Sequence, residues 1–177
     1  MYMDGKNNLL NSVKVVLVGT THPGNIGATA RAIKNMGILD LALVEPKEFP
    51  SDEATFRSKA AKDILENATV YESLKDAVSG CELVVGTSAR DRTVPWPVLS
   101  PSEAAKEMHK CSLNGDVAIV FGREDRGLTN EECARGLSSF SSNEVEKIIG
   151  HHSKEIEKIL GYISKSEVVH KDDMVEI

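Results

Sequence analysis

The sequence predicts an α/β protein built on a parallel sheet, and three observations support this fold class. Short apolar runs rich in β-branched residues recur along the chain. Amphipathic segments of helical period separate these runs, which is typical of right-handed β–α–β units with helices on both faces of a sheet. With 177 residues, of which 41% are hydrophobic, the chain is long enough to bury a core of its own.

Five segments are predicted to be buried strands because they are short, apolar and rich in valine and leucine. They are residues 13–19, 41–45, 69–71, 82–87 and 117–121. Four segments between them are predicted to be helices: residues 24–36, 51–62, 73–78 and 101–109. Ligands of parallel α/β sheets bind beyond the carboxyl ends of the strands. We therefore expect the functional residues in the loops that follow strands.

The first such loop leads from the first strand into a helix. Pro23 and Gly24 turn the chain, and Asn25 is predicted to cap the free amides at the helix start. Arg31 lies further along the same helix, near enough to the helix start to share an anion with it. The segment has neither of the common glycine-rich phosphate-loop patterns, so a capped helix with a surface arginine remains an alternative.

The second loop follows the strand at 82–87 directly. It begins with small residues beside which a ligand can approach the backbone: Thr87, Ser88 and Ala89. Arg90 and Arg92 then flank an aspartate, and Trp96 lies between two prolines. Two arginines beside an aromatic ring could bind RNA by phosphate pairing and stacking. The tryptophan could equally fill a hydrophobic seam.

The third loop follows the strand at 117–121. Gly122 and Gly127 bracket four charged residues, and Thr129 with Glu132 has the spacing of a capping box. Glycines at this spacing allow positive φ and close approach of backbone, which suits a cofactor loop. A solvated charged turn is the alternative interpretation.

Three segments, HPGNIGATARAIKNMG, VVGTSARDRTVPWP and VFGREDRGLTNEE, occur in this order over residues 13–133. Together they resemble the SpoU (TrmH-like) family of SPOUT-class RNA methyltransferases, and the middle segment resembles its TrmJ branch. The resemblance implies an α/β-knot fold and methyl transfer from S-adenosylmethionine to a ribose 2′-hydroxyl. In that branch the substrate is a tRNA cytidine or uridine at anticodon-loop position 32. It also implies a homodimer whose active site takes residues from both subunits, and no metal.

The resemblance also assigns roles to residues. It implies that Arg31 takes the place of the catalytic arginine and that Asn25 and Glu124 are further catalytic residues. Contact with the methyl donor is implied for six residues: Thr87, Ser88, Ala89, Gly122, Gly127 and Leu128. RNA contact is expected for Arg31, Arg90, Arg92, Arg123 and Arg126. Because the pKa of arginine exceeds about 12, we expect Arg31 to hold a phosphate and stabilise a developing alkoxide rather than act as a base.

The chain departs from the family after Glu132. Residues 134–143 are too short and too polar for the family's last strand and loop, so the knot element is expected to be missing or altered. We therefore divide the chain into a methyltransferase domain, residues 1–137, and an atypical part, residues 138–177. The latter is predicted to hold an amphipathic helix at 144–164 and a short hairpin or extended tail. His151 and His152, being adjacent on that helix, are not expected to chelate a metal.

Composition limits the other possibilities. The formal net charge of −6 argues against bulk electrostatic binding of nucleic acid, so RNA binding is expected to be weak, salt-sensitive and dependent on a local cluster. Lys34 is expected to join the arginines of the three loops in that cluster. An odd number of cysteines, three, favours reduced thiols, and the lack of a long apolar run or signal peptide indicates a cytoplasmic protein without a membrane span.

Two other functions remain open at this stage. One is a catalytically inactive RNA-binding or dimerisation module derived from the same family. The absence of the family's knot element after Glu132, which carries the family's own last motif, would explain it. The other is a nucleotide-binding α/β protein unrelated to methyl transfer, which the absence of phosphate-loop patterns disfavours.

Overall fold

The structure is a computed structural model that describes residues 9–87 and 99–132. After a 3₁₀ turn, Leu9–Ser12, the elements follow in this order: β1 Val13–Val18, α1 Pro23–Asn35, β2 Asp40–Val44, α2 Asp52–Ser58, α3 Lys62–Glu66, β3 Thr69–Tyr71, α4 Leu74–Ala77, β4 Leu83–Gly86, α5 Pro101–Ser112 and β5 Val117–Phe121. A further helix begins at Asn130.

The five strands form one parallel sheet with the order β3-β2-β1-β5-β4. At the centre, Val15 of β1 lies opposite Leu41 of β2 on one side and Ile119 of β5 on the other. The chain builds the sheet outward from β1 and then crosses to its other side. The strand order therefore reverses between β1 and β5, which is the position where parallel sheets of this kind bind ligands. The predicted parallel α/β fold is confirmed.

Helices cover both faces of the sheet, as the unbroken apolar strands predict. On one face Val15 and Leu17 pack with Ile26 and Ile33 of α1 and Met108 of α5. On the other face, a second buried cluster joins neighbouring strand residues to α4 and to the loop after β5: Val16, Val18, Val120, Leu74 and Leu128. The sheet is thus the middle layer of three.

All five predicted strands are present, with ends that differ by a residue at most. The predicted continuous helix at 51–62 is wrong, because α2 ends at Ser58 and a 3₁₀ turn, Lys59–Ala61, precedes α3. Lys59 has a φ of 54°, which an α-helix does not accommodate. Nothing in the local sequence marks this break, since it contains neither glycine nor proline.

Lys34 is not part of the expected cationic cluster. It lies in the last turn of α1, where its ammonium donates to the carbonyl oxygen of Ala60 at 2.8 Å and to Asp63 at 2.6 Å. Because α1 starts at the carboxyl edge of the sheet and runs back, its last turn lies about 14 Å from its start. Lys34 instead ties α1 to the broken segment between α2 and α3.

The two helices α1 and α2 are in close contact because α1 presents glycines to α2. A Cβ atom placed on Gly27 would lie 2.1 Å from the carbonyl oxygen of Ala54. A Cβ on Gly24 would lie 2.7 Å from a carboxylate oxygen of Glu53. Any side chain at Gly27 would therefore force the two helices apart.

Several predictions lie outside the described residues. They concern Ser88, Ala89, Arg90 and Arg92, the knot element, the division at residue 137 and the helix and tail of residues 138–177. Of the predicted reduced thiols, Cys81 and Cys111 are free and partly buried, and burial raises the pKa of both. No helix in the described part of the chain is long and apolar enough to cross a membrane.

Candidate active site

The loops after β1 and β5 meet where the strand order reverses. Gly19 leaves β1 with a φ of 61°, a conformation that suits glycine. Pro23 then occupies the first turn of α1, where its fixed φ and missing N–H are tolerated. The chain beyond β5 folds back beside this turn. Residues about a hundred positions apart in sequence are thereby placed in contact.

The carboxylate of Glu124 joins the two loops through four hydrogen bonds. Its Oε2 accepts from the Thr21 amide at 3.1 Å and from the Thr21 hydroxyl at 2.9 Å. Its Oε1 accepts from the Asn25 side-chain amide at 2.9 Å and from the His22 amide at 3.4 Å. Each oxygen thus has two donors, all of them uncharged. We call these four residues the Glu124 cluster.

Asn25 does not cap α1, so that prediction is wrong. The residue that precedes the helix is His22, with extended backbone and no side-chain cap hydrogen bond. Asn25 lies within the first turn and directs its amide to Glu124 instead. The carboxylate of Glu124 supplies from a distant loop the negative charge that a helix N-terminus favours. A local motif search finds a cap only when it is close in sequence.

The environment of Glu124 favours its ionised form. Burial raises the pKa of this carboxyl, but hydrogen bonds from Asn25, its own backbone and Thr21 more than compensate, and its pKa lies below the ordinary value of 4.5. A carboxylate with both oxygens occupied is a poor proton acceptor. Glu124 is therefore suited to hold the two loops in one geometry.

The loop after β5 closes tightly on itself. The Gly127 amide donates to the carbonyl oxygen of Arg123 at 2.7 Å. A Cβ on Gly122 would lie 2.2 Å from the backbone of Gly127 and Leu128, so only glycine fits there. Gly127 has a φ of 67° and open space where a side chain would point. Leu128 is buried against the core and anchors the end of the loop.

The two predicted RNA-binding arginines of this loop differ. The stem of Arg123 packs on Gly19, since a Cβ there would lie 2.9 Å from Arg123 Cγ. Its guanidinium donates to both carboxylate oxygens of Asp125, at 3.0 and 2.8 Å, and thereby lowers the pKa of Asp125. Arg126 is exposed and has no hydrogen bond or ion pair within the described ranges. Arg126 is the one available for a ligand.

Thr87 and Arg31 occupy different settings. Thr87 is buried, and both its amide and its hydroxyl donate to the carbonyl oxygen of Val120, at 2.9 and 3.1 Å. This extends the contact between β4 and β5 to the site.

Arg31 is exposed on α1, about 9 Å along the helix from Asn25. No contact in the described structure joins it to the Glu124 cluster.

Thr21 is the site residue that sequence reasoning missed. Its amide and hydroxyl both bind Glu124, although nothing in its neighbourhood marks the distant acceptor.

The capping box of Thr129 and Glu132 is confirmed, with the Glu132 amide donating to the Thr129 hydroxyl at 3.1 Å. Among the described residues, no group of three His, Cys, Asp or Glu side chains could hold a metal ion.

Comparisons with known proteins agree with this architecture. The model of the family described as "SpoU rRNA Methylase family" matches residues 12–136. A relative from Pseudomonas aeruginosa (strain UCBPP-PA14), named tRNA (cytidine/uridine/adenosine-2′-O-)-methyltransferase TrmJ, is 54% identical over 128 residues. That match covers 72% of this chain and 50% of the relative, so the chain spans about half of that protein's length.

Two solved structures are similar over most of the chain. A structure described as that of "a probable methylase family protein from Haemophilus influenzae Rd KW20" has a TM-score of 0.78 and 34% identity, covering 95% of this chain and 71% of the other. The crystal structure of TrmJ from Z. mobilis ZM4 has a TM-score of 0.73 and 29% identity, covering 87% and 69% respectively.

Proposed function

The chain belongs to the SpoU rRNA methylase family, and we propose that it methylates the ribose 2′-hydroxyl of a tRNA cytidine or uridine, using S-adenosylmethionine. The proposed target is position 32 of the anticodon loop, as the resemblance to the TrmJ branch implies. The name of the Pseudomonas relative supports this substrate class. The 54% identity over 128 residues makes the same chemistry the best-supported function for this chain.

The Glu124 cluster is the observation that carries the proposal. It joins the first and third sequence motifs at the position where the strand order reverses. Methyl transfer needs an alcohol and a methyl group held in line, so fixed loops contribute more than a strong acid or base. The cluster supplies such fixed loops and leaves Arg126 and Arg31 free to meet a substrate.

The described residues fit a methyl donor at the ends of β4 and β5. Gly127 has open space beside its Cα, so a flat group can approach the loop backbone there. Thr87, Gly122 and Leu128 hold that backbone in place, and Ser88 and Ala89 would complete the site. When bound, S-adenosylmethionine supplies a methyl group activated by a sulfonium.

We assign Arg31 to binding of the substrate, because no described contact makes it part of the Glu124 cluster. Its guanidinium remains charged at any physiological pH, and its exposed position lets it hold a phosphate of the target nucleotide with two parallel hydrogen bonds. In this role it stabilises negative charge as the 2′-hydroxyl loses its proton to phosphate or water. Asn25 and Glu124 position the start of α1, which carries Arg31.

Arg31→Lys tests this assignment because it keeps the charge but removes the two-pronged geometry. We expect methylation of tRNA to fall at least about tenfold, while binding of S-adenosylmethionine, measured by calorimetry, stays unchanged. Lys75→Arg, an exposed cation on α4, is the matched control. Near wild-type methylation by Arg31→Lys would contradict the assignment of Arg31. If the wild-type chain gives no heat of binding with S-adenosylmethionine, the proposed enzymatic activity is contradicted.

The proposal includes three features carried from the resemblance and composition. They are a homodimer, the absence of a metal requirement and a cytoplasmic location. Sedimentation of the purified chain and methylation assays with and without a chelator check the first two. A monomer that methylates tRNA, or activity lost to a chelator, would contradict them.

A further inference from the structure

We infer that Thr21 is a positioning residue for methyl transfer, whose hydroxyl fixes the Glu124 carboxylate and, through it, the start of α1; this inference rests on the proposed function. Thr21 donates twice to the same carboxylate oxygen, from its amide at 3.1 Å and from its hydroxyl at 2.9 Å. His22 and Asn25 each donate once, to the other oxygen. Both described donors to Oε2 of Glu124 thus belong to Thr21.

The backbone before Thr21 is fixed to the sheet. The Gly19 amide donates to the carbonyl oxygen of Val44 at 2.8 Å, and the Lys47 amide donates to the carbonyl oxygen of Thr20 at 3.0 Å. These bonds join the segment to the end of β2 and to the loop that follows it. Threonine is also restricted at χ1 because it is β-branched. The position of the Thr21 hydroxyl is therefore set by the strands rather than by α1.

Glu124 connects this fixed donor to the helix that carries Arg31. Its Oε1 accepts from the Asn25 side-chain amide at 2.9 Å, whereas the His22 amide is more distant, at 3.4 Å. Asn25 lies in the first turn of α1, six residues before Arg31. If the Thr21 hydroxyl is removed, Oε2 keeps one donor and the carboxylate can turn away from Asn25. A misplacement of about 1 Å at such a distance from the chemistry can lower a rate by about two orders of magnitude.

The hydroxyl also favours the charged form of Glu124. Burial raises the pKa of this carboxyl, and hydrogen bonds, including the one from the Thr21 hydroxyl, lower it below the ordinary value. Without that hydroxyl less opposes burial, so the pKa rises. Protonation turns one carboxylate oxygen into a donor, and Thr21 and Asn25 can then no longer both be bound as they are in the ionised form. Loss of the hydroxyl should therefore have its largest effect at acidic pH.

Other charged or titratable side chains lie on the segments packed around the Glu124 cluster. None of those described is hydrogen-bonded to the Glu124 carboxylate. They are His22 in the loop after β1, Glu53 and Arg57 of α2 against Gly24, and Arg123, Asp125 and Arg126 in the loop after β5. Because every variant below keeps them, their titration cancels when the rate of a variant is divided by the wild-type rate. The pH dependence of the 2′-hydroxyl cancels in the same way.

The test compares Thr21→Val with the wild-type 177-residue chain. Valine has nearly the shape of threonine but lacks the hydroxyl. Initial rates of methyl transfer from S-adenosylmethionine to tRNA are measured against tRNA concentration at neutral pH. We expect kcat to fall about tenfold and KM for tRNA to change less than about twofold, because Arg31 keeps its charge and still attracts the tRNA.

Two variants accompany this comparison. Thr55→Val is the matched control, since it removes an exposed hydroxyl that donates to the Ser51 carbonyl oxygen in α2, and it should retain the wild-type kcat. Thr21→Ser keeps the hydroxyl at the cluster and should recover most of the kcat lost in Thr21→Val. Thr21→Ala is a second variant without the hydroxyl and should behave as Thr21→Val does.

Two further measurements distinguish positioning through Glu124 from a purely structural role. The ratio of the Thr21→Val rate to the wild-type rate should fall further between about pH 7 and about pH 5, because the variant protonates Glu124 at a higher pH. A structural role alone would leave this ratio constant. In a Glu124→Gln background, Thr21→Val should lower kcat less than about twofold, since the carboxylate on which it acts is already absent.

The outcomes separate this inference from the proposed function. A wild-type kcat for Thr21→Val would overturn the inference alone, and so would an equal loss of kcat in the Glu124→Gln background. A rate ratio that stays constant with pH would overturn it as well. If neither Thr21→Val nor Thr21→Ala shows the wild-type melting transition, the inference is also overturned, because the hydroxyl is then required for folding. A wild-type chain that transfers no methyl group to tRNA would overturn both.

Discussion

Glu124 and Asp40 are carboxylates at opposite edges of one sheet, and their pKa values are shifted in opposite directions. Glu124 follows β5 at the carboxyl edge, whereas Asp40 begins β2 at the amino edge. Burial raises the pKa of both groups. For Glu124 the hydrogen bonds from the Glu124 cluster overcome burial and lower the pKa. For Asp40 the net shift is upward.

The partners of the two carboxylates explain the difference. Asp40 has Lys14 as its ion-pair partner, at 3.8 Å, and Asp116 repels its charge. Glu124 instead accepts from four donors held by two loops. Several fixed neutral donors thus stabilise a carboxylate charge better than a single cation at 3.8 Å from a half-exposed carboxylate. The carboxyl edge is built around a fixed negative charge, and the amino edge is not.

The largest expected contrast between the edges concerns glycine. Gly122→Ala places a Cβ 2.2 Å from the backbone of Gly127 and Leu128, whereas Gly115→Ala at the amino edge places one 3.5 Å from Glu82 Cβ. We expect Gly122→Ala to cost about 3 kcal/mol of unfolding free energy and Gly115→Ala less than about 0.5 kcal/mol. Urea denaturation measures both. Equal losses of unfolding free energy in the two variants would show that the loop after β5 rearranges at little cost to accommodate the added methyl group.

Neutralising the carboxylates is expected to have a smaller effect. Glu124→Gln puts an amide donor where the wild-type carboxylate accepts from Thr21 or Asn25, so we expect a loss of about 1–3 kcal/mol at neutral pH. Asp40→Asn should raise stability slightly, because its ionised form is disfavoured in the folded protein. Thermal denaturation of the two variants beside the wild type is the measurement. A stabilised Glu124→Gln would refute our view of the Glu124 cluster.

The same pair should differ in pH dependence. The pKa of Glu124 is lowered on folding, so its stabilising effect is complete above its unfolded pKa and disappears as pH falls through the folded value. The pKa of Asp40 is raised, so its ionised carboxylate destabilises the folded protein at neutral pH. This destabilisation disappears as pH falls through the raised pKa. At neutral pH the wild type should be more stable than Glu124→Gln and less stable than Asp40→Asn. Both differences in unfolding free energy, measured from pH 7 down to about pH 3, should become smaller as the pH falls.

The smallest expected effect concerns the pair of Arg123 and Asp125. The pair is exposed on the carboxylate side, so Asp125→Asn should change the stability of the fold very little. The freed guanidinium of Arg123 should tighten tRNA binding modestly, by an amount that decreases with added salt. Anisotropy titrations at low and high KCl measure this. Weaker tRNA binding by Asp125→Asn would mean that the pair orders the loop for RNA.

Local patterns predicted the elements that position the site. The β-branched run at Val13–Val18 and the apolar run at Val117–Phe121 were sufficient to place β1 and β5, because buried parallel strands have continuous apolar sequence. Pro23 marked the start of α1. The glycines at 122 and 127 correctly indicated a tight loop with a positive φ. The three motifs also led to the correct family.

Two of the failures share one cause, which is contact between segments far apart in sequence. Asn25 was expected to cap its own helix, but Glu124, 99 residues away, takes its amide. Lys34 was expected beside the loops, but Asp63 and the Ala60 carbonyl hold it at the other end of α1.

The sequence by itself determined the parallel α/β fold and the loops after β1 and β5, because apolar periodicity and turn chemistry are properties of neighbouring residues. The resemblance of its three motifs gave the family. Only the tertiary structure decided which donors bind Glu124, that Arg123 is paired with Asp125, and that the carbonyl of Ala54 lies against Gly27. Those contacts depend on the order of strands and the close approach of α1 to α2, where glycine leaves room for another segment's side chains and backbone.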